Sequence, residues 1–320
     1  MSLQHALIAI LADGEFHSGT ALGQQLDVSR SAVWKALQQL QELDIDVHAV
    51  QGKGYRLAEP LELLDSQRIE SLLSEKTRGS LRSLDVLFDV DSTNAWLLRQ
   101  AQRHAVACLA ERQHSGRGRR GRDWISPFAA NLYLSLGWQF ETSTNSLGSM
   151  SLVAGVAILR RLQALGIKDL GLKWPNDIYC QGRKLGGILI EMRGESGGPS
   201  ELVIGVGINI HMPGHVEDEI SQPWIDLRHC CGLSRNTIAA SVIDALIEAC
   251  LDGSRGDTEQ YLQDWASMNV HAGQAVIVQM PDGKVIEGDC KGIDSNGALL
   301  LQVGDEIRNF HCGEVSLRGT

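Results

Sequence analysis

Apolar residues recur at helical spacing from the start of the chain, at Leu3, Leu7, Ile10 and Leu11. Ser18 precedes a second short helical stretch carrying Leu22 and Leu26. Ser29 precedes a third, with Val33, Leu37 and Leu40 on one face, and both serines stand where N-caps are expected. Asp27-Val28-Ser29 between them has about the length of the turn in a helix-turn-helix. VHAV, the glycine turn QGKG and YRL then predict two short strands, which would make a wing. Residues 1–64 thus predict a winged helix-turn-helix. After a proline break, EPLELLDSQRIESLL predicts a linking helix. From about residue 84 the pattern changes: LDVLFDV, AVACLAE, NLYLSLGW, GLKW, KLGGILIEM and ELVIGVGINI predict strands, while LGSMSLVAGVAILRRLQALG and NTIAASVIDALIEAC predict helices. This gives a mixed α/β domain over residues 65–268. HMPGHVEDEISQPWIDL has no regular period, and long irregular segments often serve as functional lids. Beyond it, QAVIVQM, KVIEGDC and ALLLQVG are separated by the turn signals PDG and DSNG, which predicts a small β-barrel over residues 269–320. The expected class is α+β multidomain.

Charge narrows the picture. The chain of 320 residues carries a formal net charge of −10, so a surface that binds nucleic acid must be local rather than global. With Val33, Leu37 and Leu40 turned inward, Ser31, Lys35 and Gln38 face outward. Ser29 and Arg30 open the same helix, as base- and phosphate-reading residues of a recognition helix do. Lys53 and Arg56 on the wing are placed for backbone phosphates. Four basic residues (Arg30, Lys35, Lys53, Arg56) stand against seven acidic ones (Asp13, Glu15, Asp27, Glu42, Asp44, Asp46, Glu59) in this segment, so DNA binding is expected to need a dimer. Seven cysteines without a C-x-x-C spacing argue against a disulfide framework or structural zinc. The N-terminus lacks a secretory signal and no run of about 18 apolar residues occurs, so the expected location is cytoplasmic.

The segment from Gly116 to Phe128, GRGRRGRDWISPF, places Arg117, Arg119, Arg120 and Arg122 among glycines. Glycine allows close backbone approach and arginine offers forked donors for phosphate or carboxylate oxygens. Such a loop suits a phosphate-bearing ligand; from charge alone it also suits non-specific nucleic-acid binding. It lacks the G-x-x-x-x-G-K-[ST] spacing of a P-loop, and GVGINI lacks the third glycine of a dinucleotide fingerprint. Gly205 and Gly207, inside a strand, mark close approach of a ligand or another backbone. DSTN, Asp91 to Asn94, ends a strand and opens a helix, where donors collect; plain capping explains it equally well in isolation. KWPND, Lys173 to Asp177, is a polar turn, and Lys184 of GRKLGGIL starts a strand.

Taken in order, DSTN, QHSGRGRRGR with its tryptophan and SPF, KWPND, RKLGGIL and GVGIN resemble bifunctional biotin protein ligases and biotin-operon repressors of the BirA type. The resemblance spans essentially the whole chain. It implies a winged helix, a central domain of the class II aminoacyl-tRNA synthetase/biotin ligase type and a small C-terminal barrel. It implies biotin-binding residues Ser92, Thr93, Asn94, Gln113, Arg117, Gly118, Arg119 and Lys184. It implies adenylate or ATP contacts from Arg117, Arg119, Arg122, Trp124, Asn176, Lys184 and Asn209. Lys184 and Arg119 are implied in the catalytic group; the carrier lysine must also lose a proton in the transfer step, which makes Asp177 of KWPND the candidate base or orienting residue. Hydroxyls and amides are the right partners for a neutral ureido head, and cations must gather where biotin carboxylate meets the ATP α-phosphate. ATP with Mg2+, held by phosphates and water rather than a protein metal site, and biotin, substrate and corepressor precursor, are the implied ligands. The implied partners are the biotin carboxyl carrier protein of acetyl-CoA carboxylase, operator DNA, and a second copy of the chain when adenylate is bound. Trp34 departs from the repressor pattern, where a smaller polar residue stands on the recognition helix. Two other readings share many of these features: a lipoate or octanoate ligase, and a regulator that senses biotin without catalysis. The dense arginine loop with an attached winged helix favours biotin over lipoate. Lys184 and the complete loop favour an enzyme over a sensor.

Overall fold

A computed structural model of the chain describes residues 2–43, 45–141, 148–194, 199–214, 216, 220–230, 232–280, 282–311 and 316–319. Three helices open it: α1 (Leu3–Leu11), α2 (Gly19–Gln25) and α3 (Arg30–Gln39). Ser18 and Ser29 cap α2 and α3 by accepting hydrogen bonds from the Ala21 and Ala32 amides at 3.0 and 3.2 Å. Strands β1 (Val47–Val50) and β2 (Gly54–Leu57) pair antiparallel as the wing. Leu7, Leu11, Leu22, Val33, Leu37 and Leu40 are buried together, as their spacing predicts; Ile8 joins them, while Leu3, Ile10 and Leu26 are only partly buried against them. That core is not closed by the first 64 residues alone: Phe128 and Ala129, from the end of the arginine-rich segment, are buried in it, with Phe88 packed alongside. His5 stacks on Phe88 at 4.8 Å between ring centroids, and Phe88 tilts against Phe128 at 4.9 Å.

The expected linking helix is shorter than the pattern suggests. Residues 58–65 carry no regular structure, and α4 (Ser66–Leu72) starts only after Asp65, whose carboxylate caps it through the Arg68 amide at 2.8 Å. Tertiary hydrogen bonds hold the extended stretch instead of helical ones. Arg235 donates to the Glu62 carbonyl at 2.6 Å, to Glu111 Oε2 at 2.8 Å and to the Asn131 carbonyl at 2.8 Å. The Leu64 amide donates to Glu111 Oε1 at 2.5 Å, and Asn236 donates to Glu62 and to the Leu63 carbonyl. Arg235 and Glu111 are both almost fully buried; losing one partner of such a pair costs about 3–5 kcal/mol.

The central sheet contains β3 (Ser83–Leu87), β4 (Val106–Ala110), β5 (Leu132–Phe140), β6 (Leu170–Lys173), β7 (Asp177–Cys180), β8 (Arg183–Gly194) and β9 (Ser200–Ile208). Their order is β3-β4-β5-β9-β8-β7-β6, with β3 and β4 parallel and the other neighbours antiparallel. Helix α5 (Glu75–Ser80) precedes the sheet and α6 (Thr93–Arg99) follows β3. Helices α7 (Met150–Ala164), α8 (Arg235–Arg255) and α9 (Glu259–Met268) pack with it. Of these elements, α5, α9 and β7 lie outside the pattern-based expectations. β10 (Ala275–Gln279), β11 (Val285–Ile293), β12 (Leu299–Val303), β13 (Glu306–Phe310) and β14 (Ser316–Gly319) form an antiparallel sheet in the order β13-β12-β11-β10-β14. Among the described residues no pairing joins β13 to β14, so the expected barrel is present as a five-stranded sheet. Its Val276, Leu299, Leu301 and Phe310 share one core with the central domain, and Trp174 donates to the Gly297 carbonyl at 3.1 Å. Among the described residues no helix is long and apolar enough to cross a membrane.

Candidate active site

A cavity of about 820 Å³ opens on the face of the central sheet reached by α6 and the arginine-rich loop. One end is built on the first turn of α6. Ser92 caps that helix, and Ser92, Thr93 and Asn94 are all buried. Gln113 Oε1 accepts from the Thr93 amide at 2.9 Å and its hydroxyl at 3.2 Å, while Gln113 Nε2 donates to Ser126 Oγ at 3.2 Å. The Ser135 hydroxyl donates to Asn94 Oδ1 at 2.6 Å. Two glycines of β9 are required by these neighbours. A Cβ on Gly205 would stand 2.4 Å from Asn94 Oδ1, and one on Gly207 would stand 2.5 Å from the Trp124 ring. Both belong to GVGIN, and the close approach that strand glycines signal is to side chains.

The other end is cationic. Arg117 and Asp123 bridge the base of the arginine loop, and Gly118 donates to the Arg122 carbonyl at 2.7 Å across it. Arg120 at φ 58° and Gly121 at φ 70° turn the tip. Arg119 reaches out of the loop to Asn176 Oδ1 at 3.3 Å, and Asn176 Nδ2 donates to the Ile188 carbonyl at 2.7 Å. Lys184 Nζ lies 2.9 Å from Asp177 Oδ1 and 5.5 Å from the centroid of the Trp124 ring. Both charged side chains are mostly shielded, at 14% and 18% exposed. The Trp124 indole N–H is buried without a hydrogen-bond partner among the described residues, the kind of orphaned donor that ligand or water satisfies. Burial pushes the Tyr179 phenol up to about 12, so it stays protonated beside Lys173, whose ammonium donates to it at 3.3 Å.

Ser92, Thr93, Asn94, Gln113, Arg117, Gly118, Arg119, Arg122, Trp124, Asn176, Asp177, Lys184 and Asn209 thus line one cavity, although they come from stretches more than 100 positions apart. Asn209 is nearly buried and donates to the Ile225 carbonyl at 3.2 Å. In the irregular 211–227 segment, residues 215 and 217–219 lie outside the described residues. The described part runs beside Lys184: the Lys184 amide donates to the Pro223 carbonyl at 3.1 Å, the Ile225 amide donates to the Lys184 carbonyl at 3.0 Å, and Trp224 lines the cavity. Pattern reading missed Ser135, Glu191 and Trp224. The buried serine in the apolar run LYLSLGW is the signal that could have found Ser135.

The winged helix turns its predicted residues outward. Ser29, Arg30, Ser31 and Lys35 are exposed on α3, and Lys53 is exposed on the wing. Arg56 lies over the Phe16 ring at 5.0 Å and Lys53 at 5.6 Å. Trp34 is 52% exposed, so it belongs to the outer face of α3 rather than to the core.

Comparison with known proteins agrees with this arrangement. Residues 3–56 match an HTH domain, residues 87–209 the biotin/lipoate A/B protein ligase family and residues 271–318 the biotin protein ligase C-terminal domain. The bifunctional ligase/repressor BirA of Salmonella typhimurium is 44% identical over 98% of this chain and 96% of its own length. The biotin–[acetyl-CoA-carboxylase] ligase of Mycobacterium tuberculosis is 34% identical over 73% of this chain and 88% of its own. The structure of a biotin protein ligase from Aquifex aeolicus in complex with biotin and ATP superposes with a TM-score of 0.65 at 26% identity, covering 75% of this chain and all of that one. With a full-length relative at that identity and the site's parts in place, the chain belongs to the family of bifunctional biotin ligase/repressors of the BirA type.

Proposed function

We propose that this protein joins biotin to a carrier lysine at the expense of ATP, and that it represses transcription in response to biotin. One observation carries the enzymatic reading. A buried, neutral, hydrogen-bonding group (Ser92, Thr93, Asn94, Gln113) and a cationic group (Lys184, Arg119) line one cavity, with Arg117 at the base of the loop beside the neutral group. Biotin has that same polarity, a neutral ureido head and a carboxylate tail.

In the first step the biotin carboxylate attacks the α-phosphorus of ATP, which enters as its magnesium complex, and pyrophosphate leaves. Lys184 and Arg119 offset the negative charge that accumulates there. Arg117, Gly118 and Arg122 shape the loop over the adenylate, with Trp124, Asn176 and Asn209 on the nucleotide side. In the second step the ε-amine of the carrier lysine attacks the acyl carbon and AMP leaves. Asp177 orients Lys184 and accepts the proton the amine must lose. The irregular segment that includes Pro223 and Trp224 acts as a lid, excluding water that would hydrolyse the adenylate.

The carrier is the biotin carboxyl carrier protein of acetyl-CoA carboxylase. For the regulatory role, Ser29, Arg30, Ser31 and Lys35 meet operator DNA, with Lys53 on the phosphates. The adenylate-bound chain pairs with a second copy so that two helices reach adjacent half-sites. We set the functional boundaries at residues 1–64, 65–268 and 269–320. We read the last unit as a small barrel, which a β13–β14 pairing would close.

ATP–pyrophosphate exchange tests the activity directly. Exchange that requires biotin and ignores lipoate is the expected result. Exchange driven by lipoate, or no exchange with either acid, would overturn it.

A further inference from the structure

Glu191 belongs to none of the roles above, yet it joins the helix that carries Asn94 to the base of the arginine loop. It projects from β8, and its Oε2 accepts two hydrogen bonds from different elements. One comes from Asn94 Nδ2 on α6 at 2.8 Å, the other from Arg117 Nη2 at the base of the arginine loop at 3.0 Å. The first contact fixes an orientation. An amide can present either its oxygen or its NH2 to a ligand. Here the NH2 is drawn toward Glu191 and the Leu189 carbonyl, and the oxygen toward the Ser135 hydroxyl. The Gly205 position is shaped around that oxygen. The second contact restrains the loop where it leaves the sheet, since Arg117 and Asp123 form its paired base. Arg117 and Glu191 are partly exposed, at 45% and 26%, and an ion pair of that kind contributes little by itself. Its effect is geometric: a single carboxylate oxygen couples the two contacts.

We infer that Glu191 is a positioning residue, one that sets the Asn94 amide for the ligand's neutral end and tethers the arginine loop in the same act. This rests on the biotin ligase reading of the site. Binding at the neutral end and closure of the loop are therefore coupled. A ligand seated against Asn94 finds the loop base already in register, and the adenylate, which touches both ends, gains from both contacts.

The test uses the full-length chain with Glu191→Ala, Glu191→Gln, Arg117→Ala and the double variant Arg117→Ala/Glu191→Ala. The measurements are KM for biotin, kcat, and the dissociation rate of preformed biotinyl-AMP. Melting curves by circular dichroism report on the fold. Loss of a charge-assisted contact in a partly exposed site predicts about a tenfold rise for Glu191→Ala in both the KM for biotin and adenylate dissociation, more than any fall in kcat. Glutamine keeps an oxygen for Asn94 and loses the charge for Arg117. Glu191→Gln is therefore expected to restore KM while dissociation stays fast. The double variant is expected to release adenylate faster than Arg117→Ala alone, by the share that the Asn94 contact carries, but by less than the product of the two single effects, because both single variants already lose the Arg117–Glu191 contact. Unchanged KM and dissociation in Glu191→Ala would overturn the inference. So would strictly additive effects in the double variant, or a lowered melting temperature with kcat and KM falling short of the predicted split. A wild-type chain that forms no adenylate from biotin would instead sink the ligase reading, whatever the variants do.

Discussion

Lys184 is held by Asp177 at 2.9 Å and lies over the Trp124 ring, with both charged side chains mostly shielded. Its charge is thus pre-placed rather than recruited. Removing one preorganised donor from a developing anion typically slows a reaction by about 10²–10³. Lys184→Ala is expected to slow biotinyl-AMP formation by that order in single-turnover assays, with a smaller loss in equilibrium biotin binding, because the proposed reading seats the neutral ureido head at Ser92, Thr93, Asn94 and Gln113. Formation at near wild-type rate would remove Lys184 from the chemistry. Arg119 differs in kind: it sits on a loop and reaches Asn176 across the cavity. Glycine there loses a charged hydrogen bond, worth about 1.5–3 kcal/mol, roughly a ten- to hundredfold change in retention. It also adds backbone freedom to the loop. Arg119→Gly is expected to release adenylate faster and to label lysines of a bystander such as albumin; an unchanged release rate without labelling would exclude the role. Most residues of this kind were visible in the sequence, because arginines among glycines and DSTN before a helix are local patterns. Glu191 was not: a lone glutamate along a strand looks like any solvated charge until two donors from distant segments are seen to meet it.

At the scale of elements, the linker is the part that local patterning reads least well. Leu61, Leu63 and Leu64 alternate with Glu62 in a way that suits a helix or an extended segment. What decides is Arg235, Asn236 and Glu111, which lie far along the chain and supply the hydrogen bonds a helix would have supplied. The same limit hid β7, whose four residues DIYC form a strand only because β6 and β8 flank it. Glu62 makes the linker sensitive to acid. Burial pushes its carboxyl up, but hydrogen bonds from Asn236, the Arg235 amide and Ser234, with the charge of Arg68, more than offset this and hold it below its ordinary value of 4.5. A carboxyl depressed in the folded state adds stability above its unfolded pKa, and that contribution is lost as pH falls through the lower folded value. Pepsin cleavage within residues 58–65, measured relative to an unfolded substrate at the same pH, should therefore stay slow above pH 4.5 and accelerate as pH falls below it. Glu62→Gln should be cleaved readily already at pH 5; cleavage that ignores both pH and the substitution would show that Glu62 does not hold the linker.

At the scale of the whole molecule, the chain's three matched regions do not keep separate cores. The C-terminal sheet buries its apolar face in the core of the central domain. The winged helix is completed by Phe128 and Ala129. Helix spacing made Leu7, Val33 and Leu37 predictable as a core, but not the phenylalanine that joins them, because Phe128 lies about 90 to 120 positions further along the chain. Deleting residues 1–60 is expected to abolish operator footprinting and to leave biotin transfer measurable but weakened, with Phe88 and Phe128 newly exposed to an apolar dye. Footprinting by the truncated chain would refute the domain assignment, and an absence of extra dye binding would refute the shared core.

Phe128 has a further consequence, in heat. It stands two residues beyond Ser126, which Gln113 holds, and four beyond Trp124, which lines the cavity. A module that lends its neighbour part of its interior does not melt alone. The first sixty residues should thus show no separate low-temperature endotherm, and biotinyl-AMP, by binding only the folded chain, should raise the melting of the winged helix together with that of the domain it touches.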